Sequence, residues 1–190
     1  MSEERPSGAP LLTLEPLVES VRDGLERTGW ELSGLQKTTS HQFEGRWEGE
    51  ETRSAYLFFH REGLPDEVSV DAYLDETSRG LRGNLALVVD APPLSRFSDV
   101  PAALAMLAAA ASEALPDGYR TPLSFRAHLR NGVDDPGDAE VEIRFKLHLP
   151  RSVFQAGASA VSVLASTTAS SFERLLARLE IRDLLPPGGG

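Results

Sequence analysis

Four histidines, His41, His60, His128 and His148, are the side chains best suited to hold a metal or move a proton near neutral pH. None has a second histidine three or four residues away, so no helix face presents a ligand pair, and solvent-facing positions account for all four. Asp134, Asp135, Asp138 and Glu140 crowd one turn as calcium ligands do, yet the spacing and glycine of an EF-hand loop are missing. A solvated hairpin turn explains them. Glu48, Glu50 and Glu51 could offer paired carboxylates for glycoside chemistry, but they sit in a turn-like segment where acidic residues are ordinary. The chain has no G-x-S-x-G elbow, no Walker loop and no G-x-G-x-x-G, and no cysteine to act as nucleophile, thiolate ligand or disulfide partner. These residues predict a non-enzymatic protein without cofactor or metal.

Recognition is the chemistry that remains. Ala55, Leu57 and Phe59 alternate with Tyr56, Phe58 and His60, so one strand is partly apolar on both sides and is either central to the sheet or meets a partner on its second side. Tyr73 points outward with Ser69, Asp71 and Asp75 from the next strand. The outward residues of a later hairpin, Ser124, Arg126, His128 and Arg130 on one strand and Glu142, Arg144, Lys146 and His148 on the other, form a basic stripe. Such a stripe suits an acidic peptide, a phosphate, or the acidic half of a second copy; a normally charged exposed sheet face is the plainer account. Tyr56, Phe58, Tyr73, Arg126, His128, Arg130, Arg144 and Lys146 are therefore the candidate protein-binding residues.

The elements that must position them follow from periodicity. Thr13 as N-cap, Pro16 in the first turn and the stripe Leu14, Leu17, Val18, Val21 and Leu25 predict a helix that Gly29 stops. Strand candidates follow at Trp30 to Leu35, His41 to Trp47, Ser54 to His60, Val68 to Asp75 and Leu81 to Val89, with connections short enough for an antiparallel meander. Ser98 starts a second helix along Val100, Leu104, Leu107, Ala108, Ala111 and Leu115. A hairpin then places Leu123, Phe125, Ala127 and Leu129 inward, followed by Val141, Ile143, Phe145, Leu147 and Leu149. One long helix runs from about Ser152 to Leu179, with a small-residue stretch between Ala156 and Ser171 that packs closely on a neighbouring element or on a second copy. The strand, strand, helix unit occurs twice, over about residues 66–116 and 121–180; Ala72 and Ala127 stand 55 residues apart, Leu87 and Phe145 58.

The fold class expected is α+β, an antiparallel meander with helices packed on one face, as a single domain over 11–184 with mobile segments at 1–10 and 185–190. Of the net charge of −10, residues 1–118 hold 10 Lys and Arg against 21 Asp and Glu, while the rest is close to balanced. This field opposes nucleic-acid phosphates and favours basic partners, the plainer account being that acidity keeps the protein soluble. Met1 to Pro10 lacks the apolar core of a signal peptide and no stretch is long enough for a membrane span, so a cytoplasmic protein is expected.

The order helix, meander, helix, two-stranded hairpin, long helix resembles the type III secretion chaperone fold and its relatives, the YbjN-like proteins. The segment Val70, Asp71, Ala72, Tyr73, Leu74, Asp75, then Leu85, Ala86, Leu87, Val88, Val89 and a helix from Ser98, is similar to the strand, strand, helix passage of YbjN-like sequences. The resemblance extends in element order from about Leu11 to Leu184, although the chaperones have three strands between their first two helices against five candidates here. It implies a homodimeric, chaperone-like or adaptor protein that binds other proteins and has no catalytic residues. Joined with the acidic first part, it makes a basic or partly unfolded client the expectation, a nucleic-acid-binding protein being one kind. The competing expectation is a lipid or small-molecule binder of helix-grip type, which would begin with a strand rather than a helix.

Overall fold

The computed structural model describes residues 12–39, 52–115, 123–128 and 135–185. Helix α1 (Leu14–Glu26) buries the predicted stripe Leu14, Leu17, Val18, Val21 and Leu25. Thr13 takes the extended N-cap conformation but its side chain caps nothing; the Leu14 amide instead donates to Glu76 Oε2, 62 residues away, at 3.1 Å. At the other end Gly29 turns the chain with φ +83°, a conformation that costs glycine nothing.

Four strands follow, β1 (Trp30–Thr39), β2 (Arg53–Arg61), β3 (Val68–Thr77) and β4 (Gly80–Ala91), then α2 (Val100–Ala114), β5 (Leu123–His128) and β6 (Glu140–His148). The candidate strand His41 to Trp47 lies outside the described residues, as do the hairpin-tip residues Leu129, Arg130 and Asp134 and the segments 1–11 and 186–190. Leu185, assigned to a mobile tail on sequence, is half-buried against the core. All pairings are antiparallel and the sheet order is β1-β2-β3-β4-β6-β5. The second strands of the two repeated units, β4 and β6, therefore meet in the middle. Leu87 and Phe145, equivalent positions in the sequence repeat, are register partners, so the two hairpins are arranged about a local twofold between them.

Three expectations about the helices are corrected. Asp99, not Ser98, caps α2, accepting from the Ala102 amide at 3.0 Å. The buried side of α2 is Leu107, Ala110 and Ala114, and Ala108 is exposed, because the helix is apolar nearly all round and its sequence does not mark one face. The last helix is not continuous: α3 (Arg151–Ala156) and α4 (Ala158–Leu176) are separated at Gly157, with φ +97° and ψ −176°, and a short α5 (Leu179–Arg182) follows. Ala127, expected inward, is exposed on the edge strand β5.

One face of the sheet carries the core. Leu57 and Phe59 of β2, Val70 and Leu74 of β3, Leu85 and Leu87 of β4, and Ile143 and Phe145 of β6 are buried against Leu17, Leu25, Phe154, Val161, Phe172 and Ile181 of the helices. The small residues of α4 serve this packing. A Cβ placed on Gly24 of α1 would lie 2.4 Å from the Ser162 carbonyl oxygen and 2.7 Å from Ala165 Cβ, so the two helices approach almost backbone to backbone.

Candidate protein-binding site

The opposite face of the sheet is built by the alternate residues of the same strands, and among the described residues the helices all pack on the other side. Antiparallel register aligns these residues in rows. One runs Gln36, Tyr56, Tyr73, Asn84, His148; the next runs Gly34, Phe58, Asp71, Ala86, Lys146. Tyr56 and Phe58 are 39% and 38% exposed, unusual for large apolar rings at the centre of strands, and no described helix covers them. The Tyr56 and Tyr73 rings lean on each other with centroids 4.8 Å apart and planes at 43°.

Phe58 is placed by a gap in the neighbouring strand. Its ring edge lies 3.3 Å from where Gly34 would carry a Cβ, next to a bulge between Leu32 and Gly34, and Ser33 Oγ donates to the Phe58 carbonyl at 3.0 Å. A side chain at position 34 would crowd the ring.

The charges at the middle of the face are satisfied internally. Arg144 Nε and Nη2 donate to the Glu142 carboxylate at 2.7 and 3.2 Å, and Nη2 reaches Asp71 Oδ2 at 3.2 Å. Ser69 Oγ donates to Asp71 Oδ1 at 3.1 Å. Burial pushes the Asp71 carboxyl up despite Arg144, whereas the hydrogen bond from Arg144 holds Glu142 below its ordinary range. In a parallel arrangement Asp75, only 4% exposed, accepts from Ser54 Oγ at 2.5 Å and from Arg82 at 2.9 Å. Burial also pushes the Tyr73 phenol up.

Tyr56, Phe58, Tyr73, Arg144 and Lys146 thus share one face, with Arg126 and His128 at its β5 edge; Arg130 lies outside the described residues. The stripe is less basic than its sequence suggests, since Arg144 is committed to Asp71 and Glu142 and Arg126 stands opposite Glu142 in register. Lys146 has no ion-pair partner among the described residues. His60 and His148 lie on the same face, and His41 is outside the described residues. Among the described residues no group of three His, Asp or Glu side chains is placed to hold a metal ion. The acidic turn is organised by a backbone contact: Gly137 N donates to Asp135 Oδ1 at 2.8 Å.

A cleft of about 980 Å³ opens at the end of the sheet, with Glu67, Asp90, Glu140, Glu142 and Asp183 around walls of Ala91, Pro92, Pro93, Val141 and Leu185; Arg96 and His128 also reach it. Partial burial, and then Glu142 and Glu140, push the Asp90 carboxyl up. No sequence spacing signals this cleft, because its carboxylates come from distant segments that only the strand order assembles. The space between sheet and helices is filled by Trp30, Phe59, Phe145 and Phe172, each at most 1% exposed. No helix among the described residues is long and apolar enough to cross a membrane.

No known protein family, curated protein or solved structure matches this chain. Function is therefore argued from the face itself, which offers area, aromatic edges and fixed charge to another molecule.

Proposed function

We propose that the protein is a non-enzymatic protein-binding module, chaperone-like or adaptor in character, that acts as a homodimer and engages a basic or partly unfolded partner. The observation that carries this reading is the sheet face that no described helix covers, with Tyr56 and Phe58 each more than a third exposed beside Tyr73. Aromatic residues on a rigid strand gain much apolar contact at little entropic cost, which makes them the anchors of protein interfaces. The basic character of the client is supported by the net charge of −10 and by the carboxylates around the terminal cleft.

Photo-crosslinking tests it. With benzoylphenylalanine at position 58, ultraviolet light yields a discrete covalent protein adduct in cells, and the same group at the solvent-facing Glu19 of α1 yields none. Equal labelling at both positions, or none at 58, counts against a protein-binding face.

A further inference from the structure

We infer that the occupant of the sheet face opposite the helices is a second copy of this chain, docked about a twofold axis that runs parallel to the strands between β3 and β4. The inference rests on the protein-binding reading and names the partner. It follows from how the rows are laid out. Aromatic rings occupy the β2 side, and Lys146, unpaired among the described residues, occupies the β6 side with His148, in the same two rows. Phe58 and Lys146 are three strand spacings apart, about 14 Å, and their midpoint falls between β3 and β4.

A twofold axis along the strands reverses the order of strands but keeps the rows in place. The Phe58 ring of one copy then faces Lys146 of the other, and Tyr56 faces His148, each contact occurring twice. A desolvated ammonium over an aromatic face is an attractive pairing, and it gives Lys146 a partner it lacks among the described residues of its own chain. Asp71 meets Ala86 rather than another carboxylate. Two twisted antiparallel sheets pack face to face in aligned fashion with strand directions within about 30°. The acidic cleft lies at the end of the sheet.

Sedimentation equilibrium of the full chain reads the outcome. The wild type is a dimer at micromolar concentration, and Phe58→Lys, which sets ammonium against ammonium twice, raises the dissociation constant at least about tenfold. Phe58→Glu retains the dimer through two new ion pairs with Lys146, and the double variant Phe58→Lys with Lys146→Glu restores it. Far-UV circular dichroism confirms that each variant is folded, and a misfolded Phe58→Lys leaves the decision to Phe58→Glu and the double variant. A monomeric wild type, or a double variant no better associated than Phe58→Lys, overturns the inference. A monomeric wild type that still crosslinks to a different protein from position 58 overturns only the identity of the partner, whereas absence of any adduct removes the binding face as well.

Discussion

Gly24 of α1 lies so close to Ser162 of α4 that a single added carbon would sit 2.4 Å from the Ser162 carbonyl oxygen. The obstacle is backbone, with Ala165 Cβ on the other side at 2.7 Å, so no side chain can swing away to make room. Gly24→Ala must separate the helices or bend one of them. A loss of about 1–3 kcal/mol is expected, overriding the gain in helix propensity, and the midpoint of urea unfolding measures it. An unchanged or higher midpoint would contradict the close approach.

Gly157 makes a different demand. No atom lies within 4 Å of a Cβ placed there, yet its φ of +97° with ψ −176° belongs to a region populated almost only by glycine. Gly157→Ala should therefore cost about 1–3 kcal/mol through the backbone alone, or merge α3 and α4 into one helix with a gain in helical circular dichroism. Either result reports the same strain; equal stability and equal helicity would refute it.

The start of α1 is held from β3. Glu76 accepts the Leu14 amide and pairs with Arg53, which also binds Glu15 at 2.9 Å, whereas the Thr13 hydroxyl caps nothing. Glu76→Ala is expected to lower stability by about 1–2 kcal/mol, a lost cap plus a buried donor left without its acceptor. Thr13→Ala should fall within about 0.5 kcal/mol of wild type. Thermal melts of the two variants side by side decide the matter, and the reverse ranking would show that local capping governs after all.

Asp71 and Glu142 share Arg144 but should respond to pH in opposite directions. Burial gives folded Asp71 a higher proton affinity than it has in the unfolded chain, so its contribution falls as pH rises through the interval from the ordinary aspartate range up to its raised value. Glu142, held low by Arg144, contributes stability that is present above the ordinary glutamate range and is lost as pH falls through its lowered value. Asp71→Asn should therefore gain on wild type as pH rises from the ordinary aspartate range through the raised value. The deficit of Glu142→Gln, largest at neutral pH, should shrink on acidification. Denaturant midpoints from below the ordinary glutamate range up to neutral pH test both, and parallel trends for the two variants would show that the shared arginine does not divide their roles.

What could be read from the sequence depended on how local the cause was. The stripe of α1 and the alternation in β3 and β6 are visible because each residue's burial follows from its own strand or helix period. The α2 stripe was legible only in part, since a helix of Val, Ala, Leu and Met offers several equivalent faces and its neighbours choose one. The break at Gly157 was not legible, because a glycine in a run of Ala and Ser reads as a tolerated helix residue until the chain must change direction. Within the candidate site, the outward direction of Tyr56, Phe58 and Tyr73 was legible, but the neutralisation of Arg144 was not.

The sequence by itself determined the element types, the repeated strand, strand, helix unit and the partition of each strand into two sides, because these follow from side-chain period and from glycine and proline chemistry. Only the tertiary structure decided that β4 and β6 pair with Leu87 opposite Phe145, that Glu76 caps α1, and that Phe58 and Lys146 lie in one row. Those relationships join residues tens of positions apart, and they are fixed by strand order and register, to which no local pattern in the chain corresponds.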